Sequence, residues 1–91
     1  MTTSFQKAAT DVKNLNSQPS NDELLELYGL YKIANGENIE NADKPGMFDL
    51  KGKAKYNQWQ KFVSEGVTKA DAEKKYVELV GSLKQKYGFK G

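Results

Sequence analysis

Apolar residues in this 91-residue chain return every three or four positions in four separate segments, and nowhere do they alternate in a way that would support a strand. The first segment places Phe5, Ala8, Ala9, Val12 and Leu15 on one face and stops before Pro19. The second opens on Ser20-Asn21-Asp22-Glu23, a capping box in which a hydroxyl and a carboxylate satisfy early amide groups reciprocally. Leu24, Leu27, Leu30, Tyr31 and Ala34 carry it on to a stop at Asn35-Gly36. The third begins near Asp49 to Lys51, sets Lys55, Trp59, Phe62 and Val63 at helical spacing, and ends at Ser64-Glu65-Gly66. The fourth starts from Thr68 with Asp71 as a weaker capping partner, runs through Ala72, Tyr76, Leu79, Val80, Leu83 and Tyr87, and breaks at Gly88.

Four such segments in one short chain predict an all-α fold, a four-helix bundle in a single domain over 1–91. The stretch from Glu37 to Gly46 is polar, aperiodic and contains Pro45-Gly46, so it predicts a long loop between helices 2 and 3. A loop of that length permits a crossing connection rather than a plain up-and-down order, and such loops often belong to binding sites.

The residue inventory removes whole classes of function. There is no cysteine and no histidine. Disulfides, thiolate nucleophiles and cysteine metal sites are therefore excluded, and the usual base for a serine nucleophile is missing. Zinc would have to rely on carboxylates alone, so no metal site and no catalytic residue is expected. The longest apolar runs are pairs such as Leu24-Leu25, too short to span a membrane, and Met1 to Ser4 has neither a basic nor an apolar signal region. A cytoplasmic location is the expectation.

All 14 basic residues are lysine, and the net charge is only +2. Met1 to Pro45 holds four lysines against seven acids, and Gly46 to Gly91 ten against five, so the halves carry −3 and +5. That asymmetry suits a local anionic partner. A nucleic-acid binder would more often show a larger excess, with arginines for bidentate contacts.

Two stretches hold residues beyond what a core needs. In Tyr28-Gly29-Leu30-Tyr31-Lys32, the residues Tyr28, Tyr31 and Lys32 share a helix face, offering two hydroxyls, an aromatic surface for a base and a charge for a phosphate. The same pattern also fits an ordinary amphipathic helix with half-buried tyrosines and a solvated lysine. In the run from Lys44 to Tyr56, Lys51 and Lys55 lie four apart on one face while Lys53 points away. A basic surface turn would read alike, but Met47, Phe48 and Leu50 are costly to leave in water. They are expected to pack on the core or to line an apolar groove.

These residues, taken in order, resemble the acyl-CoA-binding protein family from Phe5 through Tyr87. The matching features are Phe5 with Ala8-Ala9 and Val12-Lys13, Pro19, the Tyr28-x-x-Tyr31-Lys32-x-Ala34 motif, Lys44-Pro45-Gly46-Met47-Phe48-Asp49, Lys51-Gly52-Lys53-Ala54-Lys55, Trp59, and Asp71-Ala72 with Tyr76. Tyr56 stands where the family often has tryptophan.

The resemblance implies an up-down-down-up bundle with a bowl-shaped site for medium- to long-chain fatty acyl-CoA esters. Carried over, Tyr28, Lys32 and Lys55 would hold the 3′-phosphate, Tyr31 would stack on the adenine, and Tyr76 would add a hydroxyl contact. Lys13 and Lys51 would contribute charge, and Met47 with Leu50 would cover the acyl chain. It implies an intracellular carrier and pool former that is a monomer and no enzyme. Such a carrier needs no cofactor, binds no nucleic acid, does not insert stably in membranes, and makes at most transient contacts with membranes or acyl-CoA-using enzymes. Two rivals remain at this point. One is a thioesterase working with carboxylates such as Asp49 or Glu73, and the other is a helical module that binds peptide or nucleic acid through Lys51 to Lys55.

Overall fold

The computed structural model of the protein describes residues 4–42 and 44–89, so Met1 to Thr3, read above for a signal, and both ends of the expected 1–91 domain lie outside the described residues. Four α-helices carry the fold: α1 (Ser4–Asp11), α2 (Asn21–Ala34), α3 (Leu50–Ser64) and α4 (Lys69–Tyr87). The all-helical class and the four-helix count are those expected from the periodicity.

Each boundary has a local cause. Ser20 accepts from the Glu23 backbone N–H at 3.2 Å while Glu23 accepts from the Ser20 N–H at 2.8 Å, which completes the capping box of α2. At its other end Gly36 takes φ +76°, and two bonds, Gly36 N–H to Ile33 C=O and Glu37 N–H to Lys32 C=O, close a Schellman motif. The Asp49 side chain caps α3 by accepting from the Gly52 N–H at 2.9 Å. Thr68 caps α4 by accepting from the Asp71 N–H at 3.2 Å.

The first helix departs from the pattern read in the sequence. Its α-helical part stops at Asp11, and a 3-10 turn over Val12–Asn14 tightens the chain before Leu15. Leu15 then pairs with Phe89 in an isolated antiparallel bridge, with the Asn16 N–H donating to the Gly88 carbonyl at 3.0 Å. Pairing with the segment beyond α4 thus replaces the last turn that apolar periodicity alone would extend.

Contacts between side chains set the helix directions. Phe5 meets Tyr76 and Asp11 meets Lys84, so α1 and α4 run in the same sense. Glu23 meets Tyr87 while Tyr31 meets Tyr76, so α2 runs against α4. Lys55 approaches Tyr28, and one turn further on Lys32 approaches Trp59, which sets α3 beside α2 in the same sense. This is the up-down-down-up order, and the long connection from α2 to α3, with a 3-10 turn over Ile39–Asn41, makes the parallel step.

The core runs through Phe5, Ala8, Leu27, Leu30, Ile33, Ala34, Ile39, Trp59, Ala72, Tyr76, Val80 and Leu83. Val80 and Leu83 are the largest side chains to be fully enclosed, and burial of each contributes about 1.5–3 kcal/mol. Two polar clusters fasten the helices around this core. Asp11, largely buried, accepts from Lys84 at 2.6 Å and from Lys7 at 3.3 Å, which ties α1 to the end of α4. Glu23 accepts from Ser20, from the Tyr87 hydroxyl at 2.5 Å and from Lys86 at 3.1 Å, so the capping glutamate of α2 also holds the end of α4.

Met47, Phe48 and Leu50 do not pack on this core. They are 75%, 91% and 75% exposed, on the turn into α3 and at its first residue. The reason is local: Asp49 N–H donates to the Gly46 carbonyl, Asp49 caps the helix, and the Lys53 ammonium donates to the Met47 carbonyl at 2.7 Å. The turn is thereby satisfied by its own polar groups, with its apolar side chains left outside.

Candidate functional site

Two clefts meet at Tyr28 and Lys55, which line both. The first, about 640 Å³, lies between α2, α3 and their connection, and is lined by polar and charged groups that include Lys32, Glu37, Lys44, Asp49 and Lys55. The second, about 410 Å³, lies between α2, α4 and the 3-10 turn that follows α1, with Lys55 of α3 also lining it, and is mostly apolar, lined by Val12, Pro19, Leu24, Leu27, Tyr31 and Tyr76, with Lys13 among them. One surface thus joins a cationic compartment to an apolar and aromatic one.

The charged compartment is organised around the Tyr28 ring. The Lys32 ammonium lies 5.5 Å and the Lys55 ammonium 5.4 Å from its centre, each within the range at which a cation is attracted to an aromatic face. Lys32 also lies 5.8 Å from the centre of Trp59, a buried residue of α3 that lines the same cleft. Lys32 and Tyr28 share a face of α2 because they are four residues apart, while Lys55 arrives from α3. Two ammonium groups from different helices therefore converge on one phenol. Such a site is built for a compact anion rich in acceptor oxygens.

Lys32 is already engaged. Its ammonium pairs with Glu37 Oε1 at 3.1 Å, and the lysine side chain is only about a quarter exposed. The α2 stop explains this pair. The Schellman closure brings Glu37 back over Lys32, whose carbonyl accepts from the Glu37 N–H at 3.1 Å.

The aromatic compartment rests on the core. Tyr76 is 4% exposed and meets Phe5 edge-on at 5.1 Å between ring centres, and Tyr31 at 6.1 Å. Burial, and secondarily the neighbouring Tyr31, push its hydroxyl pKa up to about 12. Tyr31 is 41% exposed and meets Phe5 at 5.8 Å, so one part of its surface is free for a ligand while the rest is supported.

Of the residues singled out from sequence, Lys13, Tyr28, Tyr31, Lys55 and Tyr76 thus share one cleft, and Tyr28, Lys32 and Lys55 share the other. Lys51 is exposed and lines neither, although four-residue spacing puts it on the face of Lys55. Met47 and Leu50 also line neither cleft, although their sequence neighbours Gly46 and Asp49 line the first.

Sequence reasoning missed Leu24 and Leu27 as cleft residues and Glu37 as a partner of Lys32. The first signal was present. Leu24, Leu27, Tyr28 and Tyr31 stand at i, i+3, i+4 and i+7, one continuous stripe on α2. The second lay in Asn35-Gly36, a stop that predicts which residue folds back over the last turn.

The sequence and the fold are similar to those of known proteins. A family model described as acyl CoA binding protein matches residues 2–80. The chain is 55% identical over 89 residues to an acyl-CoA-binding protein homolog 1 of Caenorhabditis elegans, an alignment covering 97% of this chain and 99% of that one. It is 48% identical over 79 residues to an acyl-CoA-binding protein homolog of Manduca sexta, covering 87% and 86%. The crystal structure of Oryza sativa acyl-CoA-binding protein 2 superposes with a TM-score of 0.78 at 34% identity, covering 91% of this chain and 89% of that one. With the family model spanning most of the sequence and relatives this similar over nearly their full length, the chain belongs to the acyl-CoA-binding protein family.

Proposed function

We propose that this protein binds medium- to long-chain fatty acyl-CoA esters, one per chain, and serves as a cytoplasmic carrier that buffers their pool. The observation that carries the reading is the convergence of Lys32 and Lys55, from two helices, on Tyr28 beside an apolar and aromatic cleft. An acyl-CoA has the matching two-ended chemistry. Its 3′-phosphate is a compact monoester with acceptor oxygens for Lys32, Lys55 and the Tyr28 hydroxyl. Its adenine has a face for Tyr31, and Tyr76 and Lys13 stand at the same cleft.

The acyl chain supplies the remaining free energy. Each buried methylene contributes up to about 0.8 kcal/mol, so a dozen could supply on the order of 10 kcal/mol before ordering costs. Met47 and Leu50, exposed and next in sequence to the cleft residues Gly46 and Asp49, are the candidates to close over that chain, with Lys51 as a further source of charge.

The thioester is shielded rather than attacked in this account. No histidine or cysteine exists to act as base or nucleophile, and the Asp49 side chain is occupied as the cap of α3. The whole chain acts as one acyl-CoA-binding domain and as a monomer, with membranes or acyl-CoA-using enzymes as transient partners.

Calorimetric titration with saturated acyl-CoAs of about eight to sixteen carbons tests the reading, because each added buried methylene should tighten binding. Affinity that climbs with chain length at one ligand per chain is the expected result. Equal affinity for free CoA and palmitoyl-CoA would overturn it, as would release of thiol from palmitoyl-CoA catalysed by the protein.

A further inference from the structure

Lys32 meets a carboxylate inside the very cleft where a phosphate is proposed to sit. Its ammonium lies 3.1 Å from Glu37 Oε1, and Glu37 lines the charged cleft together with Tyr28, Lys32 and Lys55. The pair is built by the backbone. Gly36 turns the chain at φ +76°, and the Glu37 N–H returns to the Lys32 carbonyl, so the residue after the glycine is held over the last turn of α2. No rearrangement of the helix is needed for the two side chains to meet.

We infer that Glu37 is an affinity-setting residue of the site, a built-in competitor that occupies Lys32 when the site is empty and must yield it to the phosphate. The inference rests on the proposed role of Lys32 as a phosphate ligand. A carboxylate and a phosphate monoester are both acceptors and both anionic at neutral pH, so they cannot share one ammonium without mutual repulsion. Binding of the phosphate therefore exchanges one ion pair for another. The net gain is the difference between them, smaller than an unoccupied lysine would give.

The consequence suits a carrier. A tail that buries many methylenes could bind tightly enough to slow release, and a competing carboxylate offsets part of the head-group attraction. Glu37 also reclaims Lys32 as the phosphate leaves. The effect is confined to ligands that bear the 3′-phosphate, which separates it from a general change in surface charge.

The test is calorimetric titration of wild type and Glu37→Gln with palmitoyl-CoA and with its 3′-dephospho analogue. The amide keeps the size of the side chain and removes the charge. Palmitoyl-CoA should bind the variant roughly two- to fivefold more tightly, the range open to a partly exposed ion pair, while affinity for the dephospho analogue stays the same. The gain should shrink when Glu37→Gln is placed in a Lys32→Met background, since the two residues act on each other.

Unchanged affinity for palmitoyl-CoA, or an equal gain with both ligands, would overturn the inference while leaving acyl-CoA binding intact. Wild type that does not distinguish the two ligands would instead remove the phosphate role of Lys32, and the inference with it. An unchanged melting temperature for Glu37→Gln is expected, because the carboxylate is exposed and the Schellman bonds are made by backbone groups.

Discussion

The Lys55 ammonium reaches from α3 to within 5.4 Å of the centre of the Tyr28 ring on α2, the ring that Lys32 approaches to 5.5 Å. Two cations drawn to one phenol repel each other until an anion lies between them. Glu37 offsets part of their charge through Lys32, and Lys55 is left to attract an anion.

Lys55→Met should weaken palmitoyl-CoA binding about tenfold or more, since a charge-assisted hydrogen bond contributes about 1.5–3 kcal/mol. The fold should be unaffected, because the lysine is exposed and its removal lessens repulsion near Lys32. A double-mutant cycle that pairs this change with the 3′-dephospho ligand checks the assignment. Losses that simply add would mean that Lys55 holds some other group.

Gly29→Ala should destabilise the protein. A Cβ at that position would lie 2.6 Å from Cδ2 and 2.8 Å from Cε2 of Phe62, so α2 and α3 must separate or the ring must shift. Overpacking of this kind costs about 1–3 kcal/mol, against up to about 1 kcal/mol gained from helix propensity. The expected result is a lower melting temperature together with weaker ligand binding, because Tyr28 and Lys55 belong to the same two helices. A variant as stable as wild type would show that the interface has room to spare.

Acid should unlock the polar fastenings of α4. Hydrogen bonds from Tyr87 first, and then from Ser20 and Lys86, hold the Glu23 carboxyl down at about 2, against an ordinary value of 4.5. Asp11 is likewise lowered, chiefly by its bond from Lys84. Depressed carboxyl pKa values stabilise the fold above the ordinary range and lose that contribution as protons bind, so stability should fall between about pH 4.5 and pH 2. Thermal melts across this range check it, and Glu23→Gln should flatten the dependence. Tyr76 acts in the opposite direction. Its hydroxyl is raised from 10.0 to about 12, so stability should also fall as pH rises through that interval.

How far the sequence foretold this arrangement varies by residue, for physical reasons. Helix boundaries were legible where a cap or a glycine does the work, as at Ser20 with Glu23 and at Gly36, because those signals act within four residues. The end of α1 was not, because Leu15 leaves the helix to meet Phe89, a partner more than seventy residues away. Tyr28, Tyr31 and Lys32 could be grouped from spacing on one helix, whereas the meeting of Tyr28 with Lys55 depends on the packing of α2 against α3 and entered through the family resemblance. Met47, Phe48 and Leu50 were expected to find apolar cover. Their turn satisfies its polar groups through Asp49 and Lys53, and composition alone does not reveal which side of such a turn faces the core.

The most direct test of the account sets three ligands side by side in calorimetric titrations: palmitoyl-CoA, free CoA and free palmitate. If Lys32, Lys55 and Tyr28 hold the nucleotide end while apolar surface takes the chain, palmitoyl-CoA should bind at one molecule per chain and at least about a hundredfold more tightly than either fragment. Palmitate binding as tightly as palmitoyl-CoA, or no binding of palmitoyl-CoA at all, would contradict the account.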